Sequence, residues 1–173
     1  EVVVKKETGP AADAVAVQAD SINVQIGILI SRGDIDEAIV AYDRLVTLIP
    51  DNPEFKARRE KLKAEWQPKS PEHAKARDYL FKTWPALTAL ADFRTELGNY
   101  RAAIEVCKAA GDKHGCRKAL TGMPAFAVKL EEQIKLLDPA TESGTKGFDD
   151  AKTVRDEMVK IEQELQIYLR TGK

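Results

Sequence analysis

The stretch GDIDEAIVAYDRLVTLIPDN, which runs from Gly33 to Asn52, carries the clearest structural signal in the chain. Its small and large side chains recur at helical intervals. Gly33 permits a sharp reversal of the chain, and Ala38 permits a close approach between two helices. Tyr42 fills the space beside that contact, and Pro50 ends the helix because proline lacks an amide hydrogen. The stretch therefore predicts a helix packed antiparallel on the preceding one.

The same helical period extends through almost the whole chain, and almost no segment alternates as a strand does. The predicted fold class is therefore all-α. The expected helices cover residues 11–32, 34–50, 53–66, 70–81, 87–98, 99–111, 124–137 and 149–170. The interval 112–122, with two glycines, is expected to hold at most a turn or two of helix, and 140–147 is expected to be a loop.

The composition, with 43% apolar and 32% charged residues and a formal charge of -1, suits a charge-decorated helical protein and disfavours nucleic-acid binding. No apolar run approaches the roughly 18 residues of a membrane span, so we expect no membrane insertion. The first residues, EVVVKKETGP, lack the order of a secretion signal. Because the chain begins without methionine, we expect a segment or processed product of a larger protein.

Cysteines and histidines are too few to predict a metal site, a cofactor or catalysis. Cys107 and Cys116 are the two cysteines, and His73 and His114 are the two histidines. A zinc site needs four ligands, and no second Cys/His pair accompanies His114 and Cys116. Those two residues also lie two positions apart, so on one helix they face different directions. Cys107 is expected to be a small buried side chain on a helix, and the two thiols, which could pair in an oxidising compartment, leave the compartment open.

The stretch from Gly33 resembles the tetratricopeptide repeat (TPR). Gly33, Asp34, Ala38, Ile39, Tyr42, Pro50 and Asn52 stand where that family places its second-helix signature and its closing proline. A second match consists of Leu87, Leu90, Ala91, Gly98, Tyr100, Ala103, Ile104 and Ala110. Gly33 and Gly98 lie 65 residues apart, close to twice the roughly 34-residue TPR period. The resemblance therefore implies about three repeats, with a degenerate one between the two matches.

The TPR resemblance implies a non-catalytic scaffold or regulatory module that binds a protein segment in a concave groove. The residues that the family register points into this groove are Asn23, Ile30, Lys61, Thr88, Asp92, Thr95 and Glu96. Only Asn23 and Lys61 could serve a clamp for a carboxylate, and Asp92 and Glu96 would repel an acidic tail. The lining therefore favours a mixed or basic partner segment, with ordinary solvated helix residues as the alternative.

A run of basic residues interleaved with glutamates occupies the third helix. The basic residues are Lys56, Arg58, Arg59, Lys61 and Lys63, and the acidic ones are Glu54, Glu60 and Glu65. Such a run could meet phosphate, but the spacing favours intrahelical ion pairs and a solvated face.

The last helix carries a short heptad seam. Its residues are Ala151, Val154, Met158, Ile161, Leu165 and Tyr168. The seam allows two interpretations: packing against the exposed end of the repeats, or pairing with a second copy to form a homodimer. The predicted organisation is a tail over 1–10, TPR-like repeats over 11–111, and a further hairpin with a capping helix over 112–173.

Overall fold

A computed structural model describes residues 9–81 and 87–173. This part of the chain contains seven α-helices and no strand, which confirms the all-α prediction. The chain divides into two compact units, unit 1 up to Gln67 and unit 2 from Pro68. The boundary lies within the range 11–111 that the sequence assigns to repeats. Of the predicted tail over 1–10, only the last two residues lie within the described part.

Unit 1 consists of α1 (Pro10–Arg32), α2 (Ile35–Leu48) and α3 (Pro53–Trp66), at the bounds expected from the sequence. Gly33 ends α1 with a left-handed φ of 79°, a conformation that glycine adopts without steric cost. The Asn52 side chain begins α3 by accepting hydrogen bonds from the amides of Glu54 and Phe55. Short turns therefore place α2 between α1 and α3, against both of which it packs.

The core of unit 1 lies mainly between α1 and α2. Ile35, Ala38 and Leu45 of α2 are fully buried there. The other buried apolar residues of the unit are Ala19, Ile26, Leu29, Ala41, Tyr42 and Leu62. Leu62 is the single buried residue of α3, so the apolar stripe of this helix is narrow.

Unit 2 consists of α4 (Pro71–Leu80), α5 (Leu90–Ala109), α6 (Lys113–Ile134) and α7 (Glu142–Thr171). Side chains of Ser70 and Thr141 cap α4 and α7 by accepting amide hydrogen bonds. α5 packs against all three other helices. The ring of Phe93 on α5 packs against the ring of Phe126 on α6, with the ring centroids 5.3 Å apart and the ring planes at 65°. This edge-to-face geometry is favourable for an aromatic pair.

The predicted helix boundary at Gly98 is wrong, because α5 continues through it as one helix. Glycine in a helix costs about 1 kcal/mol relative to alanine. Phe93, Leu97 and Tyr100, on both sides of Gly98, are buried on one face of the continuous helix, and this burial outweighs the cost. The helix–turn–helix that carries the second TPR match is therefore absent, and the repeat number implied by the resemblance stays a prediction.

Two glycines that predict a break over 112–122 instead serve close packing in α6. A Cβ added to Gly115 would lie 3.1 Å from Cys107 Sγ, and one added to Gly122 would lie 2.8 Å from the Tyr100 hydroxyl. α6 therefore begins eleven residues before Pro124, at Lys113, and carries the proline inside it. Met123 and Phe126, on either side of that proline, are fully buried, which holds the helix together across it.

The start of α7 also differs from the prediction, because the helix begins at Glu142 and includes most of the expected loop. Gly144 lies so close to the preceding turn that an added Cβ would fall 1.7 Å from the carbonyl oxygen of Asp138. All six residues of the heptad seam are buried in the core of unit 2. α7 contacts α5 and α6, so a homodimer through this seam would require α7 to leave its place.

Candidate functional site

Helix α1 has apolar side chains on two of its sides. Ala19, Ile26 and Leu29 face the core of unit 1. Val17 and Val24, at 70% and 64% exposure, lie with Ile28 on the side turned away from that core. The spacing of seven and four residues places these three side chains on one helical face. α1 therefore carries an apolar surface that its own unit does not cover.

A groove runs between α1 and α2 and contains two adjoining cavities of about 360 and 590 Å³. We call it the α1–α2 groove. Val40 and Arg44 line both cavities. The other lining residues are Gln18, Ile22, Gln25, Leu29, Asp36, Glu37, Ala41, Asp43, Thr47 and Leu48. The groove has the volume and the apolar floor of a ligand site, with polar groups at its rim.

The charge around the α1–α2 groove is acidic. Residues 10–52 contain seven acidic and two basic residues, a formal charge of -5. At the groove itself, Asp36, Glu37 and Asp43 outnumber Arg44. Two of these carboxylates also contact α3: Asp36 accepts a hydrogen bond from Trp66 Nε1 at 2.8 Å, and Asp43 pairs with Arg59 at 3.1 Å. Glu37 is therefore the groove carboxylate best placed to pair with a cationic group of a ligand.

The expectation that no segment has the character of a membrane span is wrong for α1. Its 22 residues from Ala11 to Arg32 are long and apolar enough to cross a membrane by length and composition. Core helices and secretion signals share this property, so it does not by itself place α1 in a membrane. Asp20 lies near the middle of the segment, where an aspartate costs about 3 kcal/mol on insertion scales. Insertion would also remove Ile26 and Leu29 from the core of unit 1.

The unit 1 residues that the TPR resemblance assigns to a concave groove occupy different environments. Asn23 is exposed on α1, whereas Ile30 is half-buried against the unit 1 core. Lys61 is exposed on α3 and lies 3.9 Å from Glu65. None of the three lines the α1–α2 groove. Their role in a concave surface stays a prediction.

Three of the four residues that the sequence predicts for the concave groove in unit 2 make hydrogen bonds. Thr88 is exposed just before α5, and the Thr95 hydroxyl donates to the carbonyl of Ala91 within that helix. Asp92 accepts a hydrogen bond from the amide of Ala89 at 3.1 Å, at the start of α5. Glu96 accepts a hydrogen bond from the Tyr79 hydroxyl, which connects α5 to α4. Burial, together with this carboxylate, raises the pKa of Tyr79.

Ion pairs engage most of the basic run on α3. Arg58 pairs with Glu54, and Lys63 lies 3.9 Å from both Asp43 and Glu60. Arg59 contacts Glu60 as well as Asp43. This arrangement supports the interpretation of a solvated, internally paired face over that of a phosphate site.

A buried polar cluster in unit 2 is the second candidate site. Asp112 Oδ2 accepts hydrogen bonds from His73 Nε2 at 2.7 Å and from Arg77 Nε at 3.2 Å. Its other oxygen, Oδ1, accepts the amide of Gly115 at 2.9 Å and so caps α6. Burial would raise the pKa of Asp112, but the Gly115 amide, His73 and Arg77 outweigh it and hold this pKa below its ordinary value. The cluster joins α4 to the turn between α5 and α6.

The cluster contains residue types that can bind a metal ion. His73, Cys107 and Asp112 each offer one ligand atom, and these three atoms lie within 4.8 Å of one another. The hydrogen bonds do not fit a metal ion. His73 Nδ1 accepts the amide of Lys69 at 3.1 Å, so the proton sits on Nε2, the nitrogen that faces Asp112. A metal-bound histidine instead donates from its second nitrogen. The Arg77 cation beside Asp112 also opposes a metal ion.

The same geometry argues against catalysis at this cluster. Both His73 nitrogens are engaged, so neither remains to accept a proton from the Cys107 thiol. Burial, and secondarily the charge of Asp112, raises the pKa of the Cys107 thiol to about 12. Burial and the neighbouring thiol raise that of Cys116 to about 12 as well. Both side chains are fully buried, which the sequence predicts for Cys107, and at neutral pH both thiols are protonated and closed to substrate.

Sequence reasoning missed both the groove and the polar cluster, for different reasons. Val24 and Ile28 stand outside the i, i+3, i+4 stripe of α1, which indicates a second apolar side of this helix, but neither residue lines the groove. His73 and Asp112 are 39 residues apart and lie on different elements, so no local pattern connects them.

Comparison with protein-family models, with curated proteins and with solved structures finds no match to this chain. The resemblance to tetratricopeptide repeats therefore stays a prediction that rests on the quoted residues.

Proposed function

We propose that this chain is a non-catalytic protein-interaction module that binds a segment of a partner protein through the α1–α2 groove of unit 1. The observation that carries the proposal is the α1–α2 groove, an open cleft lined by the apolar side chains of Ile22, Val40 and Leu48. Exposed apolar surface of this kind marks interaction sites in folded proteins. In TPR proteins, by resemblance, helical hairpins of this kind serve the same purpose.

The features of unit 2 are consistent with a structural role for this unit and not with chemistry. Its one buried cluster of chemically competent side chains within the described residues is closed and internally hydrogen-bonded. A cleft of about 290 Å³ beside Gly98 is flanked by Arg94 and Arg101, which pair with carboxylates of α7. Neither feature offers an open group for chemistry, so a binding function rests on unit 1.

The test is affinity capture on the immobilised chain, with bound proteins identified by mass spectrometry. Val40→Glu places a charge in the groove, and Val128→Glu is the matched control, since Val128 is a similarly exposed valine in unit 2. We expect a partner that is lost with Val40→Glu and retained with Val128→Glu. Circular dichroism would establish that both variants remain folded.

A third variant, Thr95→Lys, separates this proposal from the concave surface implied by the TPR resemblance. Loss of the partner with Thr95→Lys alone would move the site to α5. A partner insensitive to all three variants, or no reproducible partner, would contradict binding through the groove.

A further inference from the structure

We infer that the occupant of the α1–α2 groove is a basic amphipathic helix of a partner protein, an inference that rests on the proposed function. The apolar side of such a helix would cover Ile22, Val40 and Leu48. Its lysine and arginine side chains would face the acidic rim. Helix-in-groove docking is a common way to bind a partner segment, and its specificity follows from flanking charges.

The first argument is charge. The hairpin of α1 and α2 has a formal charge of -5 over residues 10–52, with no lysine at all, and a charge of -3 remains over residues 10–67, when α3 is included. Glu37 lines the groove and is exposed, and no ion pair to it occurs within the described residues. An acidic helix would meet like charge at this rim, whereas a basic helix would gain pairing and faster association.

The second argument is that α2 already holds one basic helix in this way. α3 contains five basic and three acidic residues and packs on α2 with a narrow apolar stripe. Leu62 is buried in that contact, Arg59 and Lys63 reach Asp43, and the Trp66 indole donates to Asp36. Within the chain itself, α2 therefore packs against a helix that has an apolar stripe flanked by cationic side chains.

A lipid surface is the competing occupant for an apolar helix. Anionic lipids attract basic segments, and the acidic hairpin would be repelled by them. Asp20 and Asn23, on either side of Ile22, would also have to leave water if α1 lay in a bilayer interface. These charges favour a cationic protein segment over a membrane.

The experiment is a display selection of helical peptides on the chain, with counter-selection on the Val40→Glu variant. The library holds an apolar stripe constant and varies the flanking positions from acidic to basic. We expect enriched peptides with net positive charge, whose affinity falls as salt is raised. For a synthetic enriched peptide, we expect Glu37→Lys to weaken binding about fivefold and Val40→Glu at least about tenfold.

Two controls keep the result interpretable. Thr47→Arg obstructs the groove from an exposed position, so it repeats the test should Val40→Glu lose its fold. Val128→Glu should leave the affinity unchanged. Circular dichroism and gel filtration of each variant would accompany the titrations.

The outcomes separate the two proposals. Enrichment of acidic or uncharged peptides that still depend on Val40 would overturn the basic partner and leave the groove as a binding site. Absence of any Val40-dependent peptide would overturn both. Binding of the chain to zwitterionic vesicles, abolished by Val24→Asp and without peptide enrichment, would overturn the protein partner in favour of lipid.

Discussion

Helix α1 of unit 1 and helix α5 of unit 2 are similar in length but differ in how they use apolar residues. α5 has 20 residues with six charges, packs against three helices and exposes no large apolar side chain. α1 has 23 residues with three charges, packs chiefly against α2 and exposes Val15, Val17, Val24 and Ile28. The more apolar helix is thus the less buried one. An apolar surface beyond what the core requires indicates an interaction surface.

The largest expected effect tests whether the two units are stabilised separately. Phe126→Ala removes a fully buried ring that packs on Phe93, and we expect unit 2 to lose about 3–5 kcal/mol of unfolding free energy. Native-state hydrogen exchange resolved by mass spectrometry would report each unit. We expect amide protection to fall throughout α5 and α6 and to stay unchanged in α1 and α2.

Leu45→Ala in unit 1 is the reciprocal variant, since Leu45 is fully buried between α1 and α2. Loss of protection in both units after either substitution would show that they unfold together, and it would remove the basis for treating unit 1 as a distinct binding unit.

A second prediction concerns the polar interior that unit 2 has and unit 1 lacks within the described residues. Asp112→Asn removes the buried carboxylate charge that Arg77 Nε contacts at 3.2 Å, and we expect the free energy of unfolding to fall by about 3 kcal/mol at neutral pH. Chemical denaturation across pH provides the measurement.

The sign of the pH dependence follows from the lowered pKa of Asp112. The stability that its ionised form contributes is complete above the ordinary value of 3.8 and is lost as pH falls through the lower folded value. The difference between the native chain and Asp112→Asn should therefore narrow below about pH 4. Asp149→Asn, at an exposed site on α7, serves as the control. A difference that is constant with pH would contradict this role for the Asp112 charge.

A third prediction tests the early start of α7. Gly144→Ala would place a methyl group 1.7 Å from the backbone carbonyl of Asp138, and we expect a loss of about 2–3 kcal/mol. Ser143→Ala, at the exposed neighbouring position, should change stability by less than about 0.5 kcal/mol. Thermal denaturation of the two variants is sufficient. Equal stability of the two variants would contradict the early start of α7 and favour the loop that the sequence predicts over 140–147.

The smallest expected effect is the change in stability on replacing Gly98, and its sign distinguishes a continuous helix from a turn at this position. Nothing lies within 4 Å of a Cβ added to Gly98, and we expect Gly98→Ala to stabilise unit 2 by about 0.5–1 kcal/mol. Gly27→Ala in α1 has the same open space and should behave alike. Gly33→Ala should destabilise, because its φ is 79°. Destabilisation by Gly98→Ala would indicate a turn and support the second TPR hairpin.

Local signals accounted for unit 1 far better than for unit 2. Gly33 and Asn52 determine helix ends through backbone conformation and side-chain capping within a few residues, so the bounds of α1, α2 and α3 could be predicted. In unit 2, glycines at 98, 115, 122 and 144 resemble breaks when only their neighbours in sequence are considered. Three of them are close-packing sites against residues of other elements or of the preceding turn, and one is an open position on a long helix.

The site divides in the same way. The repeat register points Asp92 and Glu96 into a groove, yet the Asp92 side chain caps α5 and the Glu96 side chain accepts a hydrogen bond from Tyr79 of α4. The position of the α1–α2 groove depends on which side of α1 packs into the core. Because α1 is apolar on two sides, its sequence does not show which side is buried.

By itself, the sequence determined the all-helical class, the three helices of unit 1 and the burial of Cys107. Helical period, caps and side-chain apolarity act over one or two turns, so they can be recognised without knowledge of the partners. Only the tertiary structure decided that α5, α6 and α7 are continuous, that Asp112 binds His73 and Arg77, and that one side of α1 stays uncovered. These features depend on burial between segments far apart in the chain, where packing outweighs local preference.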